Sequence, residues 1–435
     1  MEPVTAPSGA GAELRARRRI SWGELGPRLV PALAVLTAVL FGGLFMVFSG
    51  TDWAAARAAL AAEGVGGFLR ELGPGIGKAG VAYEAMVEGA TGLGYIDPTS
   101  VRSQTTMVVL LRLGERAIVF LPDNLVATLV RSTPFLLAGL AVAVGFKAGL
   151  FNIGAEGQLY AGALLAVWIG FVPALANLPA LLHIPLAVAG GILGGAIWGG
   201  IAGFLKARTG AHEVINTIMM NHIAIRLADW LIKSREPLIL LDTTASVPRT
   251  PFIAATAEYP RLGDTPLHFG ILISLGAVAL VWWFLYRTTL GFELRTVGAN
   301  PNAAKYAGMS VTRNLVLAMA VSGGLAGLAG AGEVLGVQHN LPPGFFAGVG
   351  FDSIAIALLA KTNPFAIVPA ALLWGGLING AGLMQIRADI SIDLVKIIQA
   401  LIVMFVAADQ IVRVIWRIRA RRQEEEVVFS RGWGR

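Results

Sequence analysis

Apolar runs of roughly 20 residues recur along this chain, and a helix of that length spans the hydrocarbon core of a bilayer, which is about 30 Å thick. These runs contain almost no charged side chains. Only 14% of the 435 residues are Asp, Glu, Lys or Arg, whereas about 25% are charged in soluble proteins. The sequence therefore predicts an all-α fold, a polytopic bundle of transmembrane helices.

The composition also excludes several classes of protein. The chain has no Cys, which excludes a disulfide framework, thiol chemistry and a cysteine-ligated metal. Its 55% hydrophobic content excludes a disordered chain. The 54 Gly residues lie mostly inside apolar runs, where they allow helix backbones to approach closely. Faces for such packing are marked by glycines four residues apart, namely Gly191, Gly195, Gly199 and Gly203, and Gly323 and Gly327.

About ten membrane segments can be placed on the sequence, some of them short or broken. The first covers 29–48, and no convincing small-residue cleavage site follows it, which favours an anchored helix over a signal peptide. The transmembrane core covers 124–412. Its segment 349–360 is too short to cross the bilayer, so we interpret it as a half-helix that continues from the Gly- and Pro-rich stretch before it. The core segments are 124–146, 155–176, 183–205, 213–232, 268–287, 313–335, 349–360, 364–385 and 393–412.

The basic residues predict the orientation of these segments. Cytoplasmic loops carry an excess of Lys and Arg. Such residues precede the first segment, follow the last, and lie in or beside the loop at 288–312 as Arg287, Arg295, Lys305 and Arg313. We therefore predict that this loop and both tails, 1–28 and 413–435, are cytoplasmic, and that the net charge of +7 does not indicate a nucleic-acid partner. The mixed sequence at 49–121 is predicted to be external, with amphipathic helices on or near the membrane.

A possible internal repeat accompanies this arrangement. A Gly-rich helix, a polar break and a second helix occur at 134–167 and again at 323–374. Repeats of this kind are common in transporters, whose binding sites lie at the interface between the repeats. The two polar breaks are therefore the first places to look for a site.

The first break contains three polar side chains, Asn152, Glu156 and Gln158, among glycines between two apolar runs. An unsatisfied backbone group or a carboxylate costs several kcal/mol in hydrocarbon, so such a break persists only where protein or a wet cavity surrounds it. One interpretation is that the three side chains line a substrate pathway. The alternative is a cytoplasmic turn in which Glu156 lies in the first turn of the next helix.

In the second break, Asp352 and Ser353 directly precede a short apolar run. Either side chain can cap a helix, and a helix N-terminus at membrane depth also presents its positive end to a polar solute. The two roles are compatible. We interpret the amides of Asn216, Asn221 and Gln399 as groups that bond to neighbouring helices rather than to a solute.

The loop at 288–312 is unlike an ordinary linker. Asn300 and Pro301 follow a turn at Gly298 and can begin a short helix that ends at Gly308. A short exposed helix in a cytoplasmic loop suggests a docking surface. The alternative is a helix that lies parallel to the membrane and has no partner.

Signatures of enzymatic chemistry are absent from the sequence. It contains neither a Gly-x-x-x-x-Gly-Lys-Ser/Thr phosphate loop nor a His-Glu-x-x-His metal motif, and its 5 His residues are scattered. We therefore expect no covalent chemistry, no bound cofactor and no metal site in this chain.

Several separated motifs resemble, in the same order, those of the nucleoside and simple-sugar branch of the ABC-importer permeases. This branch is related to the ribose and branched-chain amino-acid permeases. The resemblance covers about 124–416. The motifs that carry it are AGLFNIGAEGQ, HEVINTIMMNHIA, RTTLGFELRTVGANPNAAKYAGM, SGGLAGLAGAGEVLG and IIQALIVMFVAAD.

The resemblance implies a permease subunit in the plasma membrane that works with several partners. These are a second, related permease chain or a second copy, two cytoplasmic ATP-binding-cassette subunits that hydrolyse ATP, and an external substrate-binding lipoprotein. The break with Asn152, Glu156 and Gln158 would lie near the substrate pathway, as would Asp352. The 288–312 loop would be the segment that fits a groove on the ATPase. Its coupling residues would be Glu293, Arg295, Gly298, Asn300, Pro301, Ala303 and Gly308.

The function expected from this resemblance is the import of nucleosides by alternating access, driven by the partner ATPases. Simple sugars such as ribose are an alternative, because a nucleoside and a pentose need similar amide and hydroxyl partners. Phe151, Trp168 and Phe345 lie near the breaks and are either packing residues or rings on which a base stacks. An ion-coupled secondary transporter, with Glu156 as its proton or sodium site, is the alternative from a different class.

Overall fold

A computed structural model describes residues 22–96, 106–114, 116–345 and 348–417. The described residues are mostly helical and form a bundle of apolar helices, which confirms the predicted all-α polytopic fold. The predicted tails lie largely outside the described residues, which begin at Trp22 and end at Arg417.

The segment before the core contains helices and, in addition, a small sheet. Its helices are α1 (Trp22–Gly50), α2 (Trp53–Glu63) and α3 (Val65–Thr91). Antiparallel strands β1 (Leu93–Ile96), β2 (Val108–Leu113) and β3 (Arg116–Phe120) follow in the order β1-β3-β2. The sequence analysis predicted only helices for 49–121 and did not predict this sheet. The short apolar run in β2 contains two valines, and β-branched residues favour a strand. The run also has too few residues for a buried helix.

The core consists of long helices interrupted by two breaks. The chain is non-helical between Lys147 and Ala155. After Glu333 it forms a π-helical turn, Val334–Gln338, and residues 339–345 that follow contain no regular helix. A short 3₁₀ turn, Ala255–Ala257, lies between Lys233 and Gly270. The core helices are α4 (Pro122–Lys147), α5 (Ala155–Phe171), α6 (Ala180–Thr209), α7 (Glu213–Lys233), α8 (Gly270–Arg287), α9 (Thr289–Ala299), α10 (Pro301–Tyr306), α11 (Val311–Glu333), α12 (Val349–Leu359), α13 (Pro364–Ala388), α14 (Asp393–Ala407) and α15 (Asp409–Ile415).

Fewer helices than predicted have the length and hydropathy of a complete span. Within the described part of the chain, α1, α4, α6, α8, α11 and α13 meet both requirements, which makes 6. A seventh arises if α14 and α15, bent by 91° at their junction, count as one span. Each of the ten predicted segments, some of which were expected to be short or broken, coincides with a helix, and α5 with 17 residues and α12 with 11 are among those too short for a complete span. The predicted shortness of segment 349–360 is confirmed.

Helices α6 and α11 are in backbone contact along the predicted glycine faces. A Cβ atom built on Gly195 would lie 2.1 Å from the carbonyl oxygen of Gly323, and one built on Gly327 would lie 2.2 Å from that of Gly191. Real Cβ contacts are never this short, so only glycine fits at these crossings. The prediction that these glycines mark close-packing faces is confirmed.

An ion pair with a buried carboxylate fastens α3 to α13. The guanidinium nitrogens of Arg387 donate to both carboxylate oxygens of Glu88, each at 2.6 Å, and Glu88 is 1% exposed. Beside this pair, the amide nitrogen of Asn379 donates to the carbonyl oxygens of Gly89 and Asn124 at 2.7 and 3.0 Å. The segment before the core is therefore fixed to it by charge-assisted and backbone hydrogen bonds.

The α6–α11 contact predicts a clear difference between two substitutions on α6. Gly195→Ala places a methyl group against the α11 backbone, which we expect to lower the free energy of unfolding by about 1–3 kcal/mol. In Gly200→Ala, the matched control, the nearest atom to the new Cβ is the Ala320 methyl at 3.8 Å, so stability should change little. Thermal unfolding of the purified proteins in detergent measures both, and equal unfolding temperatures would contradict the packing described.

Candidate functional site

The first break is closed by a group of buried polar side chains, which we call the Asn152 cluster (Asn152, Gln158, Asn221 and Ser322). The side-chain nitrogen of Asn152 donates to Oε1 of Gln158 at 2.9 Å and to Oγ of Ser322 at 2.8 Å. Its side-chain oxygen accepts a hydrogen bond from the Gly154 backbone nitrogen at 2.9 Å. Buried amides are stable only when they are paired in this way. Asn152 thus connects α4, α5 and α11 through satisfied hydrogen bonds.

Asn221, on α7, satisfies the backbone of the same break. Its side-chain nitrogen donates to the Ile153 carbonyl, and its oxygen accepts from the Gly157 nitrogen, both at 2.8 Å. Asn216 donates to the Ala202 carbonyl of α6 at 3.0 Å. The interpretation of these two amides as bonds between chain segments is confirmed.

Glu156 connects the first break to the second. Its two carboxylate oxygens accept hydrogen bonds from the backbone nitrogens of Gly348 and Gly350, at 3.0 and 2.5 Å. Glu156 is 2% exposed, and it also lies in the first turn of its own helix, α5. A carboxylate at a helix N-terminus satisfies unpaired N–H groups and interacts favourably with the helix dipole. Glu156 therefore caps α12 from a different helix.

The predicted capping of this helix by Asp352 or Ser353 is wrong. The helix begins immediately after Gly348, whose φ of 89° is a conformation that favours glycine. Asp352 and Ser353 consequently fall inside α12, where Oγ of Ser353 donates to the Gly350 carbonyl at 2.5 Å. Asp352 is half-buried.

Of the other residues at the second break, the sequence analysis named only Phe345. The rings of Tyr160 and Phe345 lie 4.5 Å apart between centroids, with their planes tilted by 41°. Nε2 of Gln338 donates to Oε1 of Glu333 at 3.3 Å. The sequence could have identified Glu333, because it is a charged residue at the end of a Gly-rich apolar run. Acidic groups are rare in such runs and are often functional.

The 288–312 loop folds into two short capped helices. Thr288 Oγ1 accepts from the Gly291 nitrogen at 3.0 Å at the start of α9. The Asn300 side-chain oxygen accepts from the nitrogens of Asn302 and Ala303, at 3.0 and 3.1 Å, at the start of α10. The predicted short helix beginning at Pro301 is confirmed, and Gly308 follows it with a φ of 82°.

Three of the predicted coupling residues hold this loop against the bundle. Oε2 of Glu293 accepts from the side-chain nitrogen of Asn314, on α11, at 2.9 Å. Nε of Arg295 donates to the carbonyl of Leu285, on α8, at 2.9 Å. A Cβ on Gly298 would lie 2.3 Å from the Lys147 carbonyl oxygen, so the loop backbone rests directly on the end of α4.

The remaining predicted coupling residues lie on the outer surface of the loop. Asn300, Pro301, Ala303 and Gly308 are exposed, and Tyr306 is 97% exposed. An aromatic side chain this open to solvent is a typical anchor for a protein partner. The loop therefore has one face fixed to the bundle and one face available for contact.

A continuous series of contacts runs from this loop to the second break. Gly298 touches Gly149, where a Cβ would lie 2.9 Å from the Gly298 Cα. Gly149 lies three residues before Asn152, and Glu156 follows in the next helix and caps α12. Packed backbone and hydrogen bonds thus connect the loop to the N-terminus of α12.

A membrane helical bundle with broken helices and a structured loop between spans is the architecture of a transport permease. Residues 124–407 match the family described as the branched-chain amino acid transport system permease component. The chain belongs to this family, which confirms the resemblance found in the sequence.

Similar proteins of known name are permeases. The chain is 43% identical over 294 residues to the guanosine ABC transporter permease protein NupP of Bacillus subtilis, covering 66% of this chain and 82% of NupP. It is 38% identical over 296 residues to the nucleoside permease protein NupB of Lactococcus lactis, covering 66% and 80%. It is 33% identical over 298 residues to the glucose permease protein TsgB13 of Haloferax volcanii, covering 66% and 77%. No solved structure matches the chain.

The cap on α12 predicts the effect of removing the Glu156 carboxylate. In Glu156→Ala the nitrogens of Gly348 and Gly350 lose their acceptors, so their amide hydrogens should exchange at least about tenfold faster, as expected when a hydrogen bond to a charged group is lost. Hydrogen–deuterium exchange of peptides covering 348–352 measures this. Glu84→Ala, which removes a half-buried carboxylate from α3, is the control, and equal exchange in the two variants would contradict the capping role.

Proposed function

We propose that this chain is the membrane-spanning subunit of an ATP-binding-cassette importer that carries nucleosides across the plasma membrane, with both termini in the cytoplasm. The observation that carries the proposal is the similarity to two permeases named for guanosine and nucleosides, at 43% and 38% identity over two thirds of the chain. Membership of a transport permease family supports the general role.

The proposed complex contains more than this chain. The sequence has no phosphate loop of its own, so we assign ATP hydrolysis to two cytoplasmic ATP-binding-cassette subunits. A second permease chain completes the passage. Bacillus subtilis has two guanosine permease proteins, NupP and NupQ, that resemble this chain at 43% and 25% identity, which favours a heterodimer over two copies. An external lipoprotein that binds the substrate is the remaining proposed partner.

The proposed mechanism uses the series of contacts described above. Closure of the ATPases pushes on the exposed face of α10, and Glu293, Arg295 and Gly298 transmit the movement because they fix the loop to α11, α8 and α4. The α4–α5 break then shifts with the Asn152 cluster. Since Glu156 holds the N-terminus of α12, the half-helix moves with it and opens or closes the passage beside Asp352.

The geometry of Glu156 favours this mechanism over ion-coupled transport. Each of its oxygens already accepts a backbone hydrogen bond from α12. A proton or sodium ion bound there would weaken the charge-assisted hydrogen bonds that cap α12. We therefore assign Asn152, Glu156 and Gln158 to gating of the pathway rather than to ion binding.

Simple sugars are a second candidate substrate, because the similar protein TsgB13 is named as a glucose permease.

Uptake measured in proteoliposomes that contain the assembled complex separates the candidates. We expect ATP-dependent uptake of guanosine that excess ribose and glucose do not inhibit. Uptake of sugar but not of guanosine would assign the chain to sugar import, and guanosine uptake by this chain alone under an ion gradient would contradict the ATP-driven mechanism.

The exposed loop predicts which substitution uncouples the complex. Tyr306→Ala removes the most exposed aromatic side chain of α10, so we expect weaker binding of the ATPase subunits and at least about a tenfold loss of transport, as at interface hot spots. The isolated permease should unfold at an unchanged temperature. Tyr95→Ala, an exposed tyrosine on β1, is the control, and a larger loss of transport in this control than in Tyr306→Ala would overturn the assignment of the docking face.

A further inference from the structure

The end of α11 carries a carboxylate and an amide that the mechanism above does not use. Glu333 is the last residue of α11, and Gln338 is the last residue of the π-helical turn. Nε2 of Gln338 donates to Oε1 of Glu333 at 3.3 Å and to the Phe345 carbonyl at 3.5 Å. Among the described residues, none donates a hydrogen bond to the second oxygen of Glu333. The second carboxylate oxygen of Glu333 is therefore available to accept a hydrogen bond.

The position of Glu333 makes this acceptor unusual. Helix α11 begins at Val311, directly after the 288–312 loop, and Glu333 lies about 33 Å further along the helix axis. It is half-buried at the end of an apolar helix. Arg131 acts electrostatically on it, but forms no ion pair with it within the described residues. A carboxylate without an ion-pair partner is costly within a membrane bundle, which points to a role in binding.

An aromatic pair adjoins the carboxylate and the amide. Phe345 contacts both Gln338 and Tyr160. Its carbonyl oxygen accepts a hydrogen bond from Gln338, and its ring centroid lies 4.5 Å from that of Tyr160. Tyr160 lies one helical turn after Glu156 on α5. Stacking surface and hydrogen-bonding groups are therefore adjacent, beside the cap that positions α12.

The loop between α7 and α8 covers this part of the chain at the end of the bundle opposite the 288–312 loop. The nitrogen of Tyr259 donates to the Leu335 carbonyl at 2.8 Å, and that of Ile253 donates to the His339 carbonyl at 2.9 Å. Leu335 belongs to the π-helical turn, and turns of this kind occur often at functional sites. The group thus lies between a covering loop and the half-helix α12.

We propose that Glu333 and Gln338, together with the Phe345 ring that packs on Tyr160, bind the base of the transported nucleoside. This inference rests on the proposed function in nucleoside import. The Glu333 carboxylate accepts hydrogen bonds from N–H groups on the edge of the base, and the side-chain oxygen of Gln338, whose nitrogen is already bonded, supplies a further acceptor. The half-buried ring of Phe345 packs against the flat face of the base, and the ring of Tyr160, which is 2% exposed, packs against Phe345. The ligand class is a purine nucleoside whose base donates a ring N–H and an exocyclic amine.

Uptake kinetics in proteoliposomes containing the complete complex test this site. Guanosine has the exocyclic amine and inosine lacks it. For Glu333→Gln we expect the KM for guanosine to rise at least about tenfold, with a smaller rise for inosine, so that the preference for guanosine over inosine falls. The maximal rate of ATP-driven uptake should remain close to that of the wild type.

The control is Glu258→Gln, which neutralises a half-buried carboxylate in the covering loop and should leave both KM values unchanged. An unchanged KM in Glu333→Gln, or an equal rise for guanosine and inosine, would overturn the site. The complete absence of nucleoside uptake by the wild-type complex would overturn the proposed function itself.

A second measurement keeps the site testable if Glu333→Gln does not assemble. Competition with the wild-type complex compares guanosine with its N1-methyl derivative, which lacks the ring N–H but keeps the ribose. We expect the methylated nucleoside to compete at least about tenfold less well. Equal competition by the two compounds would overturn the proposed recognition of the base edge.

Discussion

The structure depends on the pair of hydrogen bonds that Glu156 accepts from the N-terminus of α12. A helix that begins inside a membrane bundle leaves backbone N–H groups without partners, and each unsatisfied group costs several kcal/mol in hydrocarbon. The Glu156 carboxylate satisfies two of them at once and places negative charge at the positive end of the helix dipole. Without this cap, an 11-residue half-helix would have no stable position.

The cap is possible only because the backbones around it approach very closely. A Cβ on Gly350 would lie 2.2 Å from the Glu156 nitrogen, so the two chain segments are in direct contact. Glycine likewise allows direct backbone contact at the α6–α11 crossing and between Gly298 and the end of α4. Lipid provides little hydrophobic drive for helix association, so close packing of small residues and internal hydrogen bonds stabilise the bundle.

The sequence predicted the features that depend on local patterns and missed those that depend on distant contacts. The glycine faces and the helix at Pro301 were recognisable, because spacing and capping residues lie within a few positions of each other. The cap on α12 was assigned to Asp352 or Ser353, since no local pattern connects Gly348 to a carboxylate 192 residues earlier. In the sheet, β1 pairs with β3 across the segment that contains β2, whereas β2 and β3 follow one another and form a local pairing that the sequence analysis also missed.

We propose that the 288–312 loop and the half-helix α12 move together, because the first break connects them. The chain contains no Cys, so spin labels can be placed at Phe351→Cys on α12 and Trp230→Cys on α7, both exposed positions. Pulsed electron paramagnetic resonance then measures the distance between the labels in the assembled complex. The account predicts a distance that changes by several ångströms when ATP binds to the partner subunits, and an identical distance with and without ATP in a complex that transports would contradict it.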